Sequence, residues 1–397
     1  MSRVYKRCLI GEESLLAQSE WAFDASELDL GIDVPWSVEK WTLRGGRQEG
    51  VELVEIDNGR MSIVVCPTRG MGVIEAWCDD VMLGWQSPVR EIVHPAFLNL
   101  PERGGLGWLG GFNEWICRCG LESHGAPVED VVLDNQGTEM RTFLPLHGRI
   151  ANLPASSVWL SVDLDPPHRL RLIGEVEEAM MFGPALRLTS MLETELGAAS
   201  FRIVDTVENL RSVPQEMQLL YHANFGAPLL EEGAELLIPF HRMAARDQRA
   251  LEGLEMWNRF GAAEAGFREQ CYFFQPAANR RHQSTAALVH PGGETAASVT
   301  FDTRTLPWFT LWKCTGDPRD GYVTGLEPGT SLPNGRRFER EKRRVRTLDP
   351  GESVRTDLTF SVHTSRAEVG RLRKRIERIQ KSADGRVESA LDAELSP

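Results

Sequence analysis

An all-β fold of antiparallel strands, a sandwich or closed barrel, is what this sequence predicts. Three observations carry that expectation. Alternation of apolar and polar residues at period two recurs along some 300 residues of the chain, few helical patterns interrupt it, and no stretch rich in Pro, Gly or Ser is long enough to separate domains. The expected organisation is one β-sandwich domain over residues 1–364, an amphipathic helix over 365–381, and a polar tail over 382–397 whose composition predicts disorder.

Taken in order, Val51 to Ile56 and Met61 to Val65 read as a hairpin, with Asp57-Asn58-Gly59 supplying the turn. Val158, Leu160, Val162 and Leu164 alternate with polar or bulky partners before the Pro166-Pro167 break. Strands follow at Leu170–Glu175, Leu186–Glu195 and Ser200–Asn209, and a last alternating face runs Val354, Thr356, Leu358, Phe360, Val362. Residues 241–270, rich in Ala, Glu and Arg, read as a helical or irregular insertion. Val369, Leu372, Ile376 and Ile379 fall on one helical face, and Ser365 with Glu368 forms a capping-box start. The basic residues of that helix read as a solvated face.

Composition narrows the function. With 42% hydrophobic residues the chain can bury a large core, and a formal charge of −13 opposes general nucleic-acid binding, which needs a positive surface. No run of 18 apolar residues predicts a membrane span, and the N-terminus carries no apolar leader segment. Seven Cys form no zinc-ribbon or Cys-x-x-Cys pattern, which with the missing leader predicts a cytoplasmic protein. Eleven Trp against four Tyr suits both core packing and a sugar-binding surface.

Four polar clusters punctuate the strand pattern. Arg69 stands between glycines in Cys66-Pro-Thr-Arg69-Gly70-Met-Gly72, placed either to enter a cleft or to cap a hairpin. His147 and Arg149, in Leu144 to Asn152, are two apart, so a strand here would set both on one face, a poor arrangement for a core. His222 and Asn224 repeat that spacing after an apolar run. Glu327 precedes Pro328 and is framed by Gly325 and Gly329, which holds it extended at a strand end.

Together, PTRGMG at 67–72, CGLESHGAP at 119–127, LHGRIAN at 146–152, YHANFGAPLL at 221–230 and GLEPGT at 325–330 resemble the galactose mutarotase-like (aldose 1-epimerase-related) superfamily. The nearer likeness is to a bacterial branch of unknown function. The resemblance spans roughly residues 50–362 and implies an antiparallel supersandwich with a carbohydrate cleft on its concave face. It implies His222 as general acid, Glu327 as general base and His147 as the supporting histidine, with Arg149, Asn224, Arg69 and Trp312 as substrate-binding candidates. The family's sugar-binding aspartate has Asp302 and Asp317 as candidates. The implied partner is a small carbohydrate, with no nucleic acid or membrane, and no metal or organic cofactor.

The implied chemistry is interconversion of anomers, in which a carboxylate takes the anomeric hydroxyl proton and an imidazole protonates the ring oxygen. The same pair could serve a keto-sugar epimerase or lyase. A sugar-binding protein without turnover is another reading. A two-His, one-carboxylate metal site built from His147, His222 and Glu327 has suitable ligand types.

Overall fold

The computed structural model of the chain describes residues 3–11, 20–28 and 30–397. Among these, two large sheets dominate. The smaller has nine strands, ordered Val4–Ile10, Ser157–Asp163, Arg169–Ala179, Ala185–Glu195, Ser200–Asn209, Ser353–His363, Ala296–Asp302, Gln283–Val289 and Glu235–Leu237. The larger has fourteen, and its centre runs Gly72–Cys78, Ile116–Leu121, Gln215–Phe225, Tyr322–Gly329, Trp308–Thr315, Gln270–Pro276 and Phe240–Ala245. Neighbouring strands in this central run pair antiparallel. A separate hairpin joins Val128–Leu133 to Glu139–Leu144.

Period-two patterning explains why the sheets stack. In Arg169–Ala179 every second residue is buried, so Leu170, Leu172 and Val176 point inward, while Arg171 pairs with Asp163 and Glu193 on the outer side. The interior is aromatic where the two sheets meet: Trp115 stands edge-on to Phe201, Phe225 and Phe360, and Phe201 stacks on Phe360. Each such fully buried apolar side chain contributes about 1.5–3 kcal/mol relative to exposure. The hairpin read at residues 51–65 is present as Glu52–Asp57 and Met61–Cys66. Its turn residue Asn58 is buried and donates to Thr194 Oγ1 at 2.6 Å, tying the turn to the other sheet.

One ionic group also crosses the interior. Arg118, on the larger sheet, sends Nε to Asp205 Oδ2 at 2.5 Å and Nη2 to Ser190 Oγ at 2.7 Å, both on the smaller sheet. Tyr221 Oη donates to Asp205 at 2.8 Å. Arg118 and Asp205 are both buried, so each charge depends on the other for solvation.

The C-terminal helix runs Arg366–Gln380 and lays Val369, Leu372 and Ile376 on Ala287, Val289 and Ala296 of the smaller sheet. Ser365 Oγ accepts from Glu368 N, the cap read from the sequence. Beyond this helix the structure departs from expectation. The tail 382–397, expected to be disordered, docks instead: Arg386–Val387 pairs with Phe240–Ala245, and Leu395 is buried against Ala244, Phe273 and Leu332. The buried Leu395, backbone pairing, and ion pairs of Glu388 and Asp392 with Arg242 and of Glu394 with Lys342 hold a segment whose average composition is polar. Residues 241–270 also begin not as an insertion but as a strand of the larger sheet, then turn into the short helix Gln248–Glu252, capped by Asp247.

Among the described residues no helix is long and apolar enough to cross a membrane. Asp205→Ala leaves Arg118 buried and uncompensated, so it is expected to lower stability by about 3–5 kcal/mol in urea unfolding. A loss below about 1 kcal/mol would show that the cross-sheet pair is dispensable.

Candidate functional site

The register of four strands builds the site. Gln215–Phe225 runs antiparallel to Tyr322–Gly329 with Leu220 opposite Gly329 and Ala223 opposite Leu326. That register sets His222 across from Glu327. Cys117 lies opposite His222 on one side, and Thr310 lies opposite Glu327 on the other. Directly opposed residues share a face, so Cys117, His222, Glu327 and Thr310 form one row. Their neighbours Tyr221, Ala223 and Leu326 point the other way, into the interior between the sheets.

His222 Nε2 stands 3.2 Å from Glu327 Oε1, with both side chains nearly buried. The far side of the ring fixes its tautomer. Asn224 Nδ2 donates to the carbonyls of Glu114 and His222 at 3.0 and 3.1 Å, which leaves Asn224 Oδ1 to face His222 Nδ1 at 2.6 Å. Nδ1 therefore carries a proton, and Nε2 of the neutral ring is an acceptor. An acceptor nitrogen and an ionised carboxylate repel at this distance, and Glu327 Oε1 has no hydrogen-bond partner among the described residues, so the pair is poised to take a proton or a ligand hydroxyl between them. Burial pushes Glu327 well above the usual carboxylate range and His222 well below the usual imidazole range, and the charge of His147 lowers both.

Room for this contact comes from Gly325, two residues before Glu327 on the same face. A Cβ there would sit 2.4 Å from Glu327 Oε1 and 3.0 Å from His222 Cε1. His147 approaches from outside the sheet, its ring centroid 5.4 Å from that of His222, and its Nδ1 donates to the His124 carbonyl at 2.9 Å. The residues around His147 are not a strand, as the two-residue spacing with Arg149 suggested. Pro145 ends the strand Glu139–Leu144, and His147 and Gly148 turn back with φ of 58° and 70°. A Cβ at Gly148 would lie 2.0 Å from the Ser123 carbonyl oxygen, so glycine is required there.

Aromatic rings wall the site. Phe112 and Trp312 stand edge-on to His222 at 5.2 and 5.4 Å, and Trp108 stands edge-on to His147 at 4.6 Å. Trp312 Nε1 donates to Glu269 Oε2 at 2.7 Å, and Glu269 pairs with Arg246 at 2.9 Å. Trp308, four residues earlier on the same strand, packs on the Phe273, Leu332 and Leu395 cluster.

Of the residues singled out by sequence, His147, His222, Asn224, Glu327 and Trp312 are brought together. Arg69 is not open to a ligand: it is fully buried, pairs with Glu114 at 2.7 Å and donates to the Gly111 carbonyl at 2.6 Å. Arg149 is exposed, and the carboxyl its charge bears on is Glu178. Asp302 and Asp317 are engaged by Arg304 and Arg319, each two residues along the chain, and neither is in the site. Sequence reading missed Trp108, Phe112 and Glu269. The crowding of Trp and Phe among the glycines of residues 104–115 was the available signal for two of them. Among the described residues no group of three or more His, Cys, Asp or Glu side chains is arranged to hold a metal ion.

Two stacked antiparallel sheets, with a histidine–glutamate pair on the outer face of the larger, define a galactose mutarotase-like protein. Residues 48–362 match the family described as a domain of unknown function (DUF4432), and the chain belongs to that family. A solved structure from Klebsiella pneumoniae, described as a "putative aldose 1-epimerase", is similar at 36% identity over 97% of both chains, with a TM-score of 0.89. A galactose mutarotase-like protein from Clostridium acetobutylicum shares the fold at 15% identity, over 87% of this chain and 99% of that one, with a TM-score of 0.57. An Escherichia coli K12 protein, described as a "putative aldose 1-epimerase", does so at 14% identity over 79% of this chain and 100% of its own, with a TM-score of 0.52. No curated protein matches the chain.

Gly325→Ala is expected to fold while driving the Glu327 carboxyl away from His222, because the new methyl group occupies its place. A crystal structure of the variant that keeps the 3.2 Å contact would refute this account of the glycine.

Proposed function

We propose that this chain is a sugar isomerase of the aldose 1-epimerase type, with His222 as general acid and Glu327 as general base. The observation that carries the proposal is the 3.2 Å contact of His222 Nε2 with Glu327 Oε1, with the histidine tautomer set by Asn224. A pyranose entering between the two groups finds one proton donor and one acceptor already mounted on adjacent rigid strands.

The reaction then runs as follows. With the sugar bound, His222 is protonated at Nε2 and Glu327 ionised; Glu327 takes the proton from the anomeric hydroxyl as His222 Nε2 gives its own to the ring oxygen. The C1–O5 bond breaks, and C1–O1 becomes a carbonyl. Rotation about C1–C2 presents the other carbonyl face, and the transfers reverse to close the ring. Protons balance within the pair, and no electrons leave or enter. His147 donates to a sugar oxygen, and the half-buried Trp312, its indole held by Glu269, offers an apolar ring face to the sugar. The name carried by the Klebsiella relative agrees with this reading.

The test is the polarimetric approach of pure α-aldoses to anomeric equilibrium. Acceleration by the purified protein is expected, with Glu327→Gln and His222→Ala each reducing the rate by about 10²-fold or more. Saturable sugar binding without acceleration would assign a binding protein instead. An unsaturated or keto product would assign the lyase or keto-sugar epimerase chemistry.

A further inference from the structure

Pro67 opens a single tight turn, Pro67–Arg69, whose three residues are all buried. From it the Arg69 guanidinium reaches residues 111–114. Nη1 donates to the Gly111 carbonyl at 2.6 Å, and Nη2 makes its ionic contact with Glu114 Oε1 at 2.7 Å. Gly111 allows that approach, because a Cβ there would crowd Nη2 and Nη1 at 3.1 and 3.2 Å. The other carboxylate oxygen, Glu114 Oε2, accepts from Asn113 N at 3.2 Å.

What this anchor holds still is the Glu114 carbonyl. Trp85 Nε1 and Asn224 Nδ2 each donate to it at 3.0 Å, which occupies both of its lone pairs. One residue on, Trp115 N donates to the Ile74 carbonyl at 2.8 Å, and Asn224 N donates to the Trp115 carbonyl at 2.6 Å. Turned over, the Asn224 amide would set Oδ1 against the Glu114 and His222 carbonyls, acceptor against acceptor. It would also offer Nδ2 to His222 Nδ1, and the imidazole would shift its proton to Nε2 and donate to Glu327 Oε1. That closed hydrogen bond would leave no lone pair on Nε2 for a ligand. As built, Nδ1 is satisfied by Asn224 Oδ1, so the next proton the ring takes arrives at the nitrogen facing Glu327.

We propose that Arg69 is a positioning residue: by anchoring residues 111–114 it holds the Glu114 carbonyl against Asn224, and through the Asn224 amide it selects the His222 tautomer. The same segment carries Phe112, whose ring stands edge-on to His222 at 5.2 Å, so one buried arginine governs both the protonation site of the histidine and one wall around it. Arg69 is sealed from solvent and acts on His222 only through these backbone and amide contacts. This role deepens the acid–base reading of the site and rests on it for its catalytic consequence, whereas the tautomer does not depend on that reading. Lysine at this position would neutralise Glu114 but lacks the planar fork that spans Glu114 and Gly111.

The test uses the full chain with 15N-labelled histidine at neutral pH, with His222 assigned by comparison with His222→Gln. In the wild type His222 is expected as one tautomer, protonated at Nδ1 and unprotonated at Nε2. Arg69→Lys keeps a cation beside Glu114, and Arg69→Met combined with Glu114→Gln removes both charges together, so neither strands a buried carboxylate. Both are expected to keep the wild-type circular dichroism and to show two His222 tautomers in exchange. In the epimerisation assay kcat falls by about tenfold or more while KM stays within about twofold, the pattern of a lost outer partner that does not touch substrate. Leu372→Ala, which loosens the C-terminal helix on the smaller sheet, controls for destabilisation alone and leaves His222 in one tautomer. A His222 tautomer unmoved in both Arg69 variants overturns the proposal, as does an equal change in Leu372→Ala. Wild-type kcat despite exchanging tautomers overturns it as well. A shifted tautomer in a protein that never epimerises sugars would reject the function and leave the Arg69 role standing.

Discussion

The antiparallel register between Gln215–Phe225 and Tyr322–Gly329 is the constraint on which the candidate site depends. It makes His222 and Glu327 cross-strand neighbours rather than residues that merely meet by folding. Slipping the pairing by one residue would turn Tyr221 and Ala223 outward and send His222 into apolar packing. The interior therefore enforces the site: the same alternation that buries Leu219, Tyr221 and Ala223 obliges His222 and Asn224 to face the other way. Chemistry and folding select the same register, so neither can drift without the other.

Electrostatics adds a second layer of order. The sheet face behind the site carries buried ionic groups, and each is answered by a partner: Arg69 by Glu114 below the Gly111 segment, and Arg118 by Asp205 across the interior. The histidine–glutamate pair differs because its charges are not settled by a fixed counter-ion. Burial disfavours charge on both members, the asparagine dictates which ring nitrogen is protonated, and His147 supplies the nearby positive charge. Two buried titratable groups 3.2 Å apart, neither held by a fixed counter-ion, are what distinguish this pair from the structural ion pairs around it.

The fold was largely legible in the sequence because sheet stacking leaves a period-two trace. The strands at 170–209 and 353–363, the hairpin at 52–66 and the helix at 366–380 follow from alternation, turn chemistry and capping alone. Within the site, His222, Asn224 and Glu327 were legible because they lie on regular strands, where spacing implies direction. His147 was placed on a strand and sits in a left-handed turn, and Arg149 accordingly points away to the surface. Arg69 could not be read, since an arginine between glycines looks alike whether it enters a cleft or lies sealed with a carboxylate, and Glu114 is 45 positions away in the chain. Trp108 and Phe112 were hidden by the glycines around them, which read as loop. The tail was misread because its carboxylates find fixed partners, Glu388 and Asp392 on Arg242 and Glu394 on Lys342, beside the buried anchor Leu395.

The Arg118–Asp205 contact has a mechanical implication. Arg118 lies between Cys117 and Cys119 on its strand, so the residues under His222 and beside His147 are clamped from behind to the opposite sheet. The site face cannot slacken while the sandwich stays closed. Loosening of the site wall and separation of the two layers are a single motion, and the precision of the one is only as durable as the cohesion of the other.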